Sequence, residues 1–397
     1  EADEANKPAE VEAIEAFLLS QAEFRHNVIT HHCEIRWTEE AGFLPLTDRD
    51  VNTLWGRMNK TVGRVYLTDI YNVIHSEFVP LFNPFQSYFD HLPSWDGVSD
   101  PIGDLADTVH VKSDQAEFRD YFRKWFVGIL PALLDDTVVN HEILVLIGEQ
   151  GLYKTTWFNF LLPPELRCYF YTKTNSDRLN KDDLFSLTEF ALICFEELDG
   201  MRPAELNQLK AMVTMPYVNE RAAYGRNKER HPHIASFCGT GNNVQFLTDP
   251  TGNRRWLPFE VSQIRDPHLH AIPYELVYSQ AYALWKSGFC HWFSQEEIRK
   301  LNIHNSRFEV PNLEEDLIRT HFRKPFEGEA GIFVTAADIL EQISSCLRYP
   351  LSPNKIGRIM AGLEFESIRY KGKRGYITVK KTGEDIDRER RSGALGL

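Results

Sequence analysis

The stretch Glu142 to Trp157, EILVLIGEQGLYKTTW, constrains what this chain can fold into more than any other. An apolar run of strand length enters a glycine turn, then Lys154-Thr155, then a helix expected over Thr156 to Leu162. Strand, cradle and helix in that order make a phosphate-binding loop. Backbone N–H groups of the turn and of the helix start would point at phosphate oxygens. Lys154 would neutralise β- and γ-phosphate charge, and the Thr155 hydroxyl would hold Mg²⁺. Gly148, Glu149, Gln150, Gly151, Leu152, Tyr153 and Thr156 would complete the cradle. The usual spacing G-x-x-x-x-G-K-[ST] has glycine before the lysine. Here Tyr153 stands there, and its Cβ restricts a backbone that glycine would free. A buried strand followed by an ordinary glycine turn fits the same residues, so the rest of the chain has to separate the two.

Phe190 to Phe195, FALICF, runs straight into Glu196-Glu197, about 40 residues after Lys154. A buried strand ending in carboxylates is what a nucleotide site needs opposite its loop. Glu196 would hold the Mg²⁺ shell and Glu197 would polarise the attacking water. Alone, the pair also suits an acidic first turn of a helix; with the loop upstream, the site is the better reading. A third apolar run, Ile234 to Cys238, ends in Gly239-Thr240-Gly241-Asn242-Asn243. In ATPases of the AAA+ kind a polar residue at such a strand end senses the γ-phosphate. Arg254-Arg255 follow, and guanidinium suits a developing phosphoryl charge. One of the two also suits a structural ion pair. Between these runs lies PYVNERAAYGRNKERHPH, with Arg221, Arg226, Lys228, Arg230 and His231 beside Tyr217 and Tyr224. It reads as a hairpin or long loop. Cations for phosphates and rings for stacking make it a nucleic-acid contact; a solvated basic loop is the equal alternative.

At 397 residues the chain exceeds one typical core, and several domains are expected. A hydrophobic content of 43% suits packed domains, and no apolar run reaches the roughly 20 residues of a membrane span. The acidic start EADEANKPAE is no signal peptide, and without an initiator Met the chain reads as a fragment with something upstream. The six cysteines are scattered, none in C-x-x-C, which points to reduced thiols in the cytoplasm. His31-His32-Cys33 lacks a second ligand pair at finger spacing and reads as a surface or half-buried cluster. A net charge of −13 excludes a bulk nucleic-acid coat protein and leaves room for local basic patches.

The first 100 residues are expected to be a mainly helical domain and a connection: a helix over 9–26, a second from Thr47, a third capped by Thr68 or Asp69. A P-loop core is expected over 101–265, a helical lid over 266–310, and two helices plus a basic hairpin over 311–397 in the manner of a winged helix. That last module would touch DNA or a protein.

The segments SYFDHLPSWDG, LIGEQGLYKTTW, FEELDG, YGRNKERHP, FCGTGNN and DPTGNRRW resemble the virulence-associated protein E family of phage and mobile-element proteins, which are related to superfamily 3 helicases. The resemblance covers residues from about 84 to 260. It implies an α/β fold with an AAA+-like ATPase core built on a parallel sheet, assembly as a homo-oligomeric ring, and a part in replicating a mobile element. It implies ATP and Mg²⁺ at Lys154, Thr155, Glu196 and Glu197, a sensor at Asn242, and a finger at Arg254 or Arg255 reaching a neighbouring subunit. Lys228, Arg230 and His231, with Arg226, take the place of the hairpin that lines the DNA channel. The departure at Tyr153 bears on hydrolysis rather than on binding. Two other readings remain: an ATP-binding DNA switch or assembly factor without a motor, and a small-molecule phosphotransferase, which the two arginines suit less well.

Overall fold

The computed structural model describes residues 10–39, 41–174, 181–220, 229–248, 253–310, 313–326, 328–344, 352–383 and 385. The chain forms two compact units, 1–309 and 310–397.

The first unit opens with α1 (Val11–Gln21), the hairpin β1 (Ala22–Asn27) and β2 (His32–Trp37), β3 (Leu44–Pro45), α2 (Asp48–Thr61), α3 (Leu67–Ile74) and β4 (Leu81–Phe82). Thr47 caps α2 reciprocally with Asp50, and Val51, Leu54 and Met58 form its buried stripe. Asp69 does not itself cap α3; its carboxylate accepts the N–H of Tyr66, three residues back. The helix expected over 9–26 ends at Gln21. From Ala22 burial alternates, Ala22 and Phe24 inward and Glu23 outward, and the strand pairs antiparallel with β2 from Ala22↔Trp37 to Asn27↔His32. With β3 and β4 this makes a four-stranded sheet, order β3-β2-β1-β4, in a region expected to be mainly helical.

α4 (Pro84–Asp90) and α5 (Pro101–Ala106) lead to the main sheet: β5 (Val109–Val111), β6 (Ile143–Ile147), β7 (Phe170–Lys173), β8 (Leu192–Phe195), β11 (Ser236–Gly241) and β12 (Trp256–Ile264). Between them run α6 (Gln115–Leu134), α7 (Lys154–Phe160), α8 (Lys181–Glu189), α9 (Pro203–Val213) and the hairpin β9 (Tyr217–Glu220) and β10 (Glu229–Pro232). The strand order is β5-β12-β6-β11-β8-β7. The last five strands are parallel, and β5 is antiparallel at the edge. Both faces are covered, so β6 is apolar at every position. Leu144 and Leu146 pack with Trp125, Phe126 and Trp157 on one face, while Ile143, Val145 and Ile147 pack with Leu209 and Val213 on the other. Each such burial is worth roughly 1.5–3 kcal/mol.

α10 (Tyr274–Lys286) and α11 (Gln295–Asn305) occupy the segment expected as a lid. Val277, Tyr278, Ala281 and Leu301 belong to the main core, so these helices complete a layer over the sheet. The second unit contains α12 (Leu313–His321), β13 (Phe322–Arg323), β14 (Ile332–Val334), α13 (Ala336–Ser344), α14 (Pro353–Gly362), β15 (Ser367–Tyr370) and β16 (Lys373–Lys380). β16 pairs with β13, β14 and β15. Its two-residue turn, Lys371-Gly372, has both φ positive, as hairpin twist favours. Ile318, Ile339, Ile343, Ile356 and Met360 form its own core.

Candidate phosphate-binding site

Parallel strands carry their loops to one edge, and ligands of such sheets sit at the carboxyl ends of the strands. Adjacent β6, β11 and β8 deliver three loops there: Gly148 to Tyr153, Asn242-Asn243, and Glu196-Glu197. They enclose a cleft of about 360 Å³ lined by Gln150, Gly151, Leu152, Tyr153, Lys154, Thr155, Thr156, Glu196, Glu197, Thr240 and Asn242. Residues far apart in sequence thus meet at one place.

The loop turns on two left-handed residues. Gly151 has φ +84°, where glycine is unstrained. Tyr153, at the position glycine usually takes, has φ 59° and ψ 17° and precedes α7 directly. The backbone geometry that the motif demands is therefore kept, with a Cβ present. α7 begins at Lys154, two residues earlier than expected, and its first backbone bond runs from Trp157 N–H to Tyr153 C=O. The N–H groups of its first turn have no helical acceptor.

Lys154 is only 8% exposed. Its ammonium donates to the carbonyls of Gly148 and Glu149 at 2.7 Å each and lies 3.5 Å from Asn242 Oδ1. Burial pulls its pKa down, and the Asp199 carboxylate opposes that. Thr155 Oγ1 donates to Glu196 Oε1 at 2.8 Å. A hydroxyl and a carboxylate in contact are hard oxygen donors of the kind Mg²⁺ takes. Glu197 follows in the left-handed region, φ 54°, and is exposed toward the cleft.

Asp199 is a member of this site that the strand patterns did not reveal. It accepts the backbone N–H groups of Asn242 at 3.2 Å and Asn243 at 3.0 Å. A Cβ on Gly241 would come within 3.0 Å of its Oδ1. The Asn242-Asn243 loop is therefore tied to the loop carrying Glu196. The only sequence signal was an acid three residues after Glu196.

Arg254 and Arg255 lie elsewhere. They immediately precede β12, whose Trp256 pairs with Ile143 at the start of β6. Hence they occupy the amino edge of the sheet, opposite the cleft, about 17 Å away for a five-residue strand. Arg226 and Lys228 lie outside the described residues. Arg230 is exposed on β10 with its guanidinium over the Tyr217 ring at 3.8 Å. His231, expected beside it in a DNA contact, is 8% exposed and packs on His31 and Phe185. Strand alternation turns it inward where Arg230 turns out. A larger groove of about 1100 Å³ is bordered by Glu34, Glu165, Glu189 and Glu275, carboxylates that disfavour phosphate.

Among the described residues no cluster of His, Cys, Asp and Glu has the form of a metal centre, and no helix is long and apolar enough to cross a membrane. The five described cysteines are free thiols.

The virulence-associated protein E-like domain family matches residues 90–310, more than half of the chain. No curated protein matches. Among solved structures, the apo structure of the NrS-1 C-terminal region (305–718) aligns with a TM-score of 0.48 and 12% identity, covering 94% of this chain and 99% of that one. An A-form apo structure of the same region aligns with a TM-score of 0.47 and 13% identity, with the same coverage.

Proposed function

The chain belongs to the virulence-associated protein E-like domain family, and from that premise we propose that it is an ATP-hydrolysing P-loop protein acting on DNA in the replication of a phage or other mobile element. The observation that carries this reading is the hydrogen bond from Thr155 to Glu196 inside one cleft with Lys154 and Asn242. The strand order, with the loop strand β6 between β12 and β11, supports an AAA+-like core. The strands and helices of the second unit support a winged-helix-like module for DNA or protein contact.

In this reading Lys154 leaves the carbonyls of Gly148 and Glu149 for the β- and γ-phosphates. Thr155 and Glu196 hold Mg²⁺, which would neutralise phosphate charge. Glu197 orients the attacking water, and Asn242, positioned by Asp199, senses the γ-phosphate. Arg254 and Arg255 are too far from the cleft of their own chain, so a finger from either serves a neighbouring copy. This reading takes the copies as a ring around DNA, with Arg226, Lys228 and Arg230 as its DNA contacts.

A second reading, an ATP-binding switch with little turnover, is favoured by Tyr153 at the glycine position and by the lysine held on its own loop. Steady-state ATPase activity with and without single-stranded DNA, for wild type and Glu197→Gln, separates them. Turnover stimulated by DNA and abolished in Glu197→Gln supports the motor. ATP binding without turnover supports the switch.

A further inference from the structure

We propose that the groove of about 1100 Å³ between the β3-β2-β1-β4 sheet and the main sheet takes an extended, arginine-bearing segment of a partner protein. Among the described residues it shares no lining side chain with the phosphate cleft, so the assignment stands apart from the nucleotide reading.

One wall of the groove already holds a guanidinium. Arg25 on β1 lies over two rings, 3.6 Å from the centroid of Phe82 and 4.0 Å from that of Phe43. Its Nε donates to Glu34 Oε2 at 2.5 Å, and Asn27 Nδ2 donates to the other oxygen of Glu34 at 2.7 Å. A planar cation, ring faces and a carboxylate are matched there. Among the described lining residues Arg25 is the one lysine or arginine, and Glu34 neutralises it.

Two other places in the groove have the same kinds of group without the cation. The first lies where α4, α10 and the connection from α7 to β7 meet. The Tyr274 hydroxyl, at the start of α10, donates to the Phe160 carbonyl at 2.8 Å and accepts from Arg167 at 3.0 Å. Tyr278, one turn along α10, meets the Tyr88 ring of α4 at 5.6 Å. These contacts bring two exposed carboxylates together with the Tyr88 and Tyr274 rings: Glu165, two residues before Arg167, and Glu275, next to Tyr274. Neither carboxylate has a hydrogen bond or ion pair among the described residues.

The second place is the end of α8, where Glu189 is the last residue. An acid in the last turn opposes the helix dipole. This one is half-buried next to Phe190, and among the described residues it has no hydrogen bond or ion pair. His32 and His231 are its basic neighbours, and neither bonds it. A carboxylate withdrawn from water without a partner is unfavourable, and a cation entering the groove relieves it.

Charge and size select the occupant. Glu165, Glu189 and Glu275 leave three carboxylates without a cation on one groove, which repels phosphate and attracts a basic chain. The volume exceeds the roughly 300–1,000 Å³ of small-molecule pockets, and aromatic-lined grooves receive extended peptides. Arginine suits the rings and carboxylates better than lysine because its flat fork stacks and pairs at once, as Arg25 does on the same wall.

The test uses the full chain and a fluorescein-labelled peptide, RPPRPPR, followed by anisotropy and by iodoacetamide alkylation. Cys168 is exposed and borders the groove; Cys290 is exposed, lies outside it and serves as the internal reference. With peptide at about ten times its dissociation constant, Cys168 alkylation slows about tenfold and Cys290 alkylation is unchanged. The double variant Glu165→Gln/Glu275→Gln and the single variant Glu189→Gln keep the wild-type Tm and each weaken binding about 3- to 10-fold. The acidic peptide EPPEPPE does not bind. No binding of RPPRPPR, equal binding of EPPEPPE, unprotected Cys168, or full affinity in both glutamine variants overturns the proposal. So does spermidine that displaces the peptide at the peptide's own dissociation constant, since the ligand would then be a small polyamine. Self-association of the chain that RPPRPPR dissolves also overturns it, by seating a second copy in the groove.

Discussion

Tyr153 holds φ 59° at the mouth of α7, a conformation that costs a residue with a Cβ about 1–2 kcal/mol. Glycine there removes this cost but adds about 0.5–1 kcal/mol of unfolded-chain freedom. Tyr153→Gly is thus expected to raise stability by between about 0 and 1.5 kcal/mol. Tyr153→Val should lose a further 1–2 kcal/mol or so, because β-branched side chains tolerate positive φ worst. Urea unfolding of the three proteins checks this; equal midpoints for Val and Tyr would remove the strain argument. If the ring also limits hydrolysis, the glycine variant is the faster ATPase. Asp199 has a different role, holding the backbone N–H groups of Asn242 and Asn243. Asp199→Ala should cost about 2 kcal/mol and slow ATP turnover with little change in ATP affinity. Unchanged kcat in a destabilised Asp199→Ala would make that tie purely structural.

At the scale of elements, the junction between β10 and β11 contains a titrating group. His233 Nδ1 donates to the Met215 carbonyl at 2.6 Å, while its Nε2 is buried without a partner. Burial lowers its pKa to about 4. The folded state keeps the ring neutral where the unfolded chain takes a proton, so stability is full above pH 6.5 and falls as pH drops toward 4. The loss is about 3 kcal/mol in all. In His233→Gln the difference in unfolding free energy between pH 7 and pH 4 should shrink by about that amount. An unaltered pH dependence would mean the ring is already charged in the fold. The hairpin ahead of it shows how alternation sorts neighbours, Arg230 outward over Tyr217 and His231 inward against His31. The same period-two logic overrode the expected first helix. Ala22-Glu23-Phe24 continues a helical stripe as well as it starts a strand. The partner strand, with Cys33 and Ile35 buried beneath it, decided.

For the whole molecule, ligand linkage offers a direct test. ATP with Mg²⁺ at 100 times its dissociation constant should stabilise the first unit by about 2.7 kcal/mol, read as a rise in Tm. Lys154→Ala should abolish the rise; a rise that survives would place nucleotide elsewhere. The contents of the cleft were legible in the sequence because local rules produce them. A fully buried parallel strand must be apolar throughout, so β6, β8 and β11 announced themselves. A phosphate cradle needs glycine and Lys-Thr in fixed order, and each strand end displays its polar residue without help from distant chain. Those local rules specified Lys154, Thr155, Glu196, Glu197 and Asn242 as a set. They could not specify Asp199 or Asn305, whose partners are 43 and 52 residues away in sequence and become neighbours only through the tertiary fold. Nor could they say that Arg254 and Arg255 stand at the edge of the sheet opposite the cleft. In a parallel sheet the start and the end of a strand face opposite ways, and only the tertiary pairing of β12 with β6 brought that consequence to bear on the two arginines.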